Sequence, residues 1–169
     1  MLDIYTVSFF GHSRIDDVMM IEERLEMLIR KLLDEKEYID FFVGKNGDFD
    51  RIVSSVIRRT KRNYRDDNSC HILVLPYLTA EFRDNEDYYY DYYDDIEVCE
   101  SSAAAHFKAA IQIRNREMVD RSDLVVCFVL KENGGAYQTL KYAEKAGKSV
   151  VNIAKNSDDC YNMVVADMR

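Results

Sequence analysis

The feature that most constrains this chain is the regular alternation of two hydrophobic periods. Short runs that are apolar at nearly every position, HILVL at 71–75 and LVVCFVL at 124–130, take turns with longer stretches whose apolar residues recur every three or four positions. A short run of that kind reads as a strand buried on both faces, as in a parallel sheet covered by helices. The clearest helical stretch is 17–36: Val18, Ile21, Leu25, Leu28, Ile29, Leu32 and Leu33 mark one face, and Glu22, Glu23, Glu26, Arg30 and Lys31 the other. Strands at 2–9, 38–43 and 149–153 and helices at about 49–64, within 103–120 and at 136–146 continue the series. This order predicts a three-layer α/β/α Rossmann-like domain with a mainly parallel sheet.

With 169 residues, 47% of them hydrophobic, the chain suffices for one core, and its single proline and six glycines mark no linker. One domain over 1–169 is expected, as a compact monomer or a homodimer. No apolar run approaches the roughly 20 residues that cross a bilayer, and MLDIYTVSFF lacks a signal peptide's basic flank, so no membrane association and a cytoplasmic location are expected. Cys70, Cys99, Cys127 and Cys160 are widely spaced and form no CxxC pair, which fits packed thiols; no metal and no cofactor are expected.

The formal net charge of -8 is local. Residues 81–100 hold nine acids and one arginine, and the rest of the chain sums to zero. The same acidic insertion, at about 80–97, contains Tyr88, Tyr89, Tyr90, Tyr92 and Tyr93, and it reads as a solvated or lid-like loop with a short strand at DDIEVC. Its field opposes a nucleic-acid backbone, so nucleic acid is expected to be an unlikely partner. The basic run RRTKRNYR at 58–65 reads as a solvated helix end, with single-stranded DNA as the weaker alternative.

In an open parallel sheet, ligands collect at the carboxyl ends of the strands. Four turns fall there: FFGHSR (9–14), VGKNGDFD (43–50), LPYL (75–78) and KENGGAYQT (131–139). Glycine lets the backbone approach a ligand, and free N–H groups at a helix start attract an anion. Neither GxGxxG nor GxxxxGK[ST] is present, so the signal lies in several glycine turns together. His12 is either a donor to a phosphate or sugar or a cap or loop residue; Asp48 reads as a helix cap, and Asp50 as an acceptor for ribose hydroxyls. Phe107, Ile111, Arg114 and Met118 follow one another on one helical stripe, which places a charge among apolar residues. Arg114 therefore needs a partner, either a ligand phosphate or an internal carboxylate such as Asp120 or Asp123.

The succession FGHSRI, FFVGKNGDFD, LPY, AIQIRNREMVDRSDLVVCFV and NGGAYQTLKYAEKAGKSVVNI resembles the SLOG superfamily, which joins the SMF/DprA proteins with the LOG phosphoribohydrolases. The likeness covers residues 2 to about 154, and small bacterial members related to YpsA are most similar. It implies a crevice for a nucleotide or nucleotide-derived small molecule, in some members a signalling nucleotide of bacterial conflict systems. On that basis the ligand-binding candidates are Gly11, His12, Ser13, Arg14, Gly44, Lys45, Asn46, Gly47, Asp50, Pro76, Tyr77, Arg114, Met118, Gly134, Gly135, Tyr137 and Thr139, with the base near Tyr77 or Tyr137. Arg114 and Met118 match the arginine and methionine of the LOG enzymes' catalytic motif.

The second half of that motif departs. GGAYQTLKYAEK lacks the leading proline and places Leu140 and Lys141 where the catalytic glutamate would stand, with Glu144 about one turn later. Two functions follow: binding of a nucleotide-derived molecule, or cleavage or transfer at an N-glycosidic bond, for which Arg114 and Asp50 are the catalytic candidates and Asp123 a further carboxylate.

Overall fold

Six parallel strands form one sheet in the computed structural model of the chain, which describes residues 1–155. The strands are β1 (Ile4–Gly11), β2 (Tyr38–Val43), β3 (Ser69–Leu75), β4 (Asp95–Val98), β5 (Leu124–Phe128) and β6 (Ser149–Asn152), in the order β4-β3-β2-β1-β5-β6. The chain steps outward from β1 to β4, then returns to place β5 beside β1, with Val7 opposite Leu124 and Gly11 opposite Phe128. Strand order therefore reverses between β1 and β5, and the carboxyl ends diverge there into a crevice. The fold class expected from the alternating pattern is the one observed.

Helices α1 (Val18–Glu35) and α2 (Asp48–Asn63) cover one face of the sheet. Their apolar stripes meet Val7, Phe9, Ile39, Phe41 and Leu73, all buried. Asp17 starts α1 by accepting the Met20 N–H at 3.1 Å. On the opposite face Met118 and Val119 of α6 (Phe107–Asp120) and Ala143 of α7 (Gly134–Lys145) pack on Phe10, Phe42 and Val125. Alternate strand residues thus serve opposite cores, as their side-chain period of two requires.

The acidic, tyrosine-rich segment is ordered. It forms α3 (Ala80–Asp84), α4 (Glu86–Tyr92) and the edge strand β4, followed by α5 (Glu100–Ala103). Phe82, Tyr89 and Tyr93 are buried in the core beneath α1 and α2, while Tyr88 and Tyr90 face outward. The expectation of a solvated loop gave the acids too much weight. Aromatic burial of about 1.5–3 kcal/mol per ring outweighs the local charge once the acids occupy the outer side. Elsewhere the differences are at ends: β1 extends to Gly11, β5 stops at Phe128, and α7 begins at Gly134. Cys160 and the tail after Lys155 lie outside the described residues.

Candidate functional site

The crevice at the β1–β5 divergence has a volume of about 670 Å³, within the usual range for small-molecule sites. The turn after β1 supplies Gly11, His12, Ser13, Arg14 and Ile15; the turn after β2 supplies Gly44, Asn46, Gly47 and Asp50; α6 supplies Ile111, Gln112, Arg114, Asn115 and Met118. Leu130, Lys131, Asn133, Gly134 and Gly135 close the side nearest β5. Twelve residues of the sequence-derived set therefore line one space.

Five do not. Lys45 turns outward to Glu81 at 2.8 Å and the Tyr89 hydroxyl at 2.7 Å, fastening the β2 turn to α3 and α4. The Pro76 carbonyl accepts the Ser102 hydroxyl at 2.6 Å, Tyr77 stands beyond the lining, and Tyr137 packs near Cys127 and Leu140. Neither tyrosine thus reaches the space in which a base would lie. Thr139 is buried behind the lining, where its role is indirect.

The turn after β2 is not the anion site its glycines suggest. The N–H groups of Asp48 and Phe49, at the start of α2, donate to the carbonyls of Ser13 at 3.0 Å and His12 at 3.4 Å. The Asn46 N–H donates to Asp50 Oδ2 at 2.7 Å, so a carboxylate already occupies the turn. Two of the glycines serve packing: a Cβ on Gly11 would lie 2.2 Å from Phe49 Cγ, and one on Gly47 would lie 2.6 Å from Ser13 Cα. Asp48 is no cap; it accepts the Ile15 N–H at 3.1 Å and pairs with Arg51.

The start of α7 is different. The N–H groups of Gly134 and Gly135 have no acceptor among the described residues, and the Asn133 side chain makes no capping bond. Gly134 has φ +86°, the left-handed conformation that disfavours other residues, and a Cβ there would meet nothing within 4 Å. Amides without an intrahelical acceptor at the positive end of a 12-residue helix have the chemistry that suits an anion.

Arg114, which lines the same crevice from α6, is only 3% exposed. Its Nη1 donates to the Val74 carbonyl at 2.8 Å and its Nε to Asn115 Oδ1 at 3.0 Å. Nη2 makes no hydrogen bond among the described residues. Asn115 Nδ2 donates to Thr139 Oγ1 at 3.2 Å, which in turn donates to the Gly135 carbonyl at 3.0 Å. This buried relay fixes the guanidinium relative to the α7 terminus. The internal partners expected from the sequence are engaged elsewhere: Asp120 accepts the Tyr142 hydroxyl, and Asp123 accepts the Thr6 N–H at the opposite end of the sheet.

Asp50 is the carboxylate that influences Arg114. A Cβ on Gly44 would lie 3.0 Å from Asp50 Oδ2 and 3.3 Å from both terminal nitrogens of Arg114, yet the two side chains form no direct ion pair. Burial pushes the Asp50 carboxyl above its ordinary range, against the Asn46 N–H and the Arg114 charge. Burial lowers the Arg114 guanidinium, and Asp50 opposes that shift. His12 accepts the N–H of Leu130 on Nε2 at 2.8 Å, and burial followed by the Lys131 charge holds its pKa below the usual value.

Asp16, Asp17, Gln112, Asn115, Lys131 and Asn133 are the polar lining residues that the sequence reading missed. Asn115 adjoins Arg114 in RNREM, the one signal that points to it. No group of three or more residues able to hold a metal ion occurs among the described residues. None of the described helices is long and apolar enough to cross a membrane.

No family model matches the chain, and no curated protein matches it. Among solved structures it is similar to DNA processing protein A (DprA) from Streptococcus pneumoniae, with TM-score 0.61 and 16% identity over 96% of this chain and 56% of that one. It is also similar to DprA from Helicobacter pylori, with TM-score 0.62 and 14% identity over 96% of this chain and 81% of that one. The chain thus spans little more than half of the pneumococcal protein. These likenesses establish the DprA-type Rossmann-like fold.

They also correct one expectation. Nucleic acid was set aside as an unlikely partner on charge, whereas the Helicobacter pylori neighbour was solved for its single-stranded DNA binding mode. Net charge was the wrong measure. The acids of α3, α4 and β4 sit around one sheet edge, whereas the crevice at the β1–β5 divergence is lined by Arg14, Arg114 and Lys131 together with Asp16, Asp17 and Asp50, a balanced set, and salt screens exposed charges beyond about 10 Å.

Proposed function

We propose that the crevice binds a nucleotide unit. The phosphate sits on the free amides of Gly134 and Gly135, with Arg114 and Lys131 as counter-charges, and a sugar hydroxyl donates to Asp50. Ile15 and Met20 on one side and Ile111 and Leu130 on the other offer the base apolar walls. One observation carries this reading: Arg114 lines the crevice almost wholly buried, with no carboxylate in direct contact and Nη2 unbonded among the described residues. A buried guanidinium without a carboxylate partner is costly, and an anion from outside the chain relieves it.

A free nucleotide and one unit of a single strand present the same phosphate, sugar and base, and the Helicobacter pylori neighbour supports the strand as a source. Strand binding through the basic run at 58–65 has little support. Lys61 is buried against Ser69 and Asp94, Arg65 pairs with Asp67, Arg59 lies near Glu22 and Glu26, and Arg58 stacks on Tyr92. A strand would therefore engage the crevice. Within this fold, the likeness of RNREMVDRSD and NGGAYQT supports grouping the chain with the small YpsA-related SLOG proteins, as a protein of the bacterial cytoplasm.

The N-glycosidase reading is less well served. Glu144 is exposed and paired with Lys141, and Asp123 is at the far end of the sheet, so neither can act with Asp50 across a sugar. The test is calorimetry with AMP, ADP-ribose and a short oligodeoxythymidylate. Tighter binding of a mononucleotide identifies a free ligand; tighter binding of the oligonucleotide, falling steeply with salt, identifies a strand. Absence of binding by all three overturns the proposal.

A further inference from the structure

His12 is held in a way that its place in the sequence does not require. Its Nε2 accepts the backbone N–H of Leu130 at 2.8 Å and that of Lys131 at 3.3 Å. A ring nitrogen that accepts bears no hydrogen, so the imidazole is neutral and its proton is on Nδ1. The ring also meets Phe128 edge-on, with centroids 6.0 Å apart. Both donors belong to the turn that leaves β5 and leads to Gly134 and Gly135. One imidazole therefore fastens the last turn of the crevice to the first.

We propose that His12 is a pH-operated latch on the crevice: neutral, it holds the turn after β5 and the α7 amides in place for the ligand, and protonated, it releases them. Protonation puts a hydrogen on Nε2, opposite two N–H groups that have lost their acceptor, so both bonds fail together. Lys131, on the same turn, then repels the imidazolium. Of the other charged groups lining the crevice, Arg14 from the histidine's own loop and Arg114 from α6 oppose protonation, while Asp16 and Asp17 before α1 and Asp50 from α2 favour it. Burial and Lys131 favour the neutral imidazole, so the latch is closed at physiological pH and opens only below the ordinary histidine range.

The latch stands on geometry; only its effect on ligand rests on the nucleotide reading. Long-range proton–nitrogen correlation spectra of the full chain at about pH 7.5 are expected to show the Nδ1–H tautomer of His12. Between about pH 8 and pH 5 the Leu130 and Lys131 amide resonances are expected to move with the His12 titration, below the ordinary histidine midpoint. Their hydrogen exchange, corrected for its intrinsic pH dependence, should rise at least about tenfold. In His12→Gln, whose amide oxygen accepts but does not titrate, both responses should be flat.

ADP-ribose serves as the ligand probe, because its pyrophosphate charge is constant over this range. Its affinity is expected to fall at least about tenfold toward pH 5 in the wild type and to stay level in His12→Gln. An Nε2–H tautomer at neutral pH, or Leu130 and Lys131 amides that ignore His12 protonation, overturns the latch. If the resonances behave as described and ADP-ribose, AMP and the oligonucleotide all fail to bind, the latch stands and the nucleotide reading falls.

Discussion

At the scale of single residues, the candidate site rests on the relay Arg114–Asn115–Thr139–Gly135. Thr139→Val removes the acceptor of Asn115 and leaves a buried amide unsatisfied, so urea unfolding should show a loss of about 1–2 kcal/mol, with weaker nucleotide binding. Gly134→Ala tests the backbone alone, since its Cβ meets nothing within 4 Å while φ is +86°; the expected loss is about 1 kcal/mol by the same method. The helical spacing of Phe107, Ile111, Arg114 and Met118 made the buried arginine legible in the sequence. The glycines were not equally legible. Gly11 and Gly47 look like ligand-facing glycines in one dimension, and only their contacts with Phe49 and Ser13 show them to be packing residues.

At the scale of elements, α3 and α4 are held to the β2 turn by Lys45, Glu81 and Tyr89. Tyr89→Ala leaves a cavity in the core shared with α1 and α2, and should cost about 3 kcal/mol in denaturant unfolding. The acids of this segment hid its core residues from sequence reading, because Phe82, Tyr89 and Tyr93 belong to helices too short to show a full hydrophobic period. Beneath α4, His71 is 2% exposed and its Nε2 meets Ser54 Oγ at 3.1 Å.

Burial drives the His71 pKa down to about 3 from the ordinary 6.5. Between those values the unfolded chain binds a proton that the folded chain refuses, so stability is full above about pH 6.5 and declines as pH falls toward 3. The contribution reaches about 1.4 kcal/mol per pH unit. Urea titrations at descending pH should show this slope in the wild type and a shallower one in His71→Gln.

At the scale of the whole molecule, strand order and charge distribution decide where function sits. The alternation of buried strands and amphipathic helices made the parallel sheet legible, because each element's period is set by its own residues. Convergence at the β1–β5 divergence was legible only in outline, since it depends on a chain reversal that no local pattern records. Charge was the least legible property: a net of -8 describes an acidic edge around β4 and says little about a crevice where Arg14, Arg114 and Lys131 stand among Asp16, Asp17 and Asp50.

The proposed function requires that a nucleotide phosphate rest on the α7 amides with Arg114 as a counter-charge in the same crevice. Its most direct measurement is calorimetric titration of wild type, Gly135→Val and Arg114→Gln with whichever of AMP, ADP-ribose or oligodeoxythymidylate binds. A Cβ at Gly135 meets only the flexible end of Gln112, at 3.0 Å, and urea unfolding of the valine variant checks that its fold is kept. The account predicts that both substitutions weaken binding at least about tenfold. Undiminished binding to correctly folded Gly135→Val would contradict it.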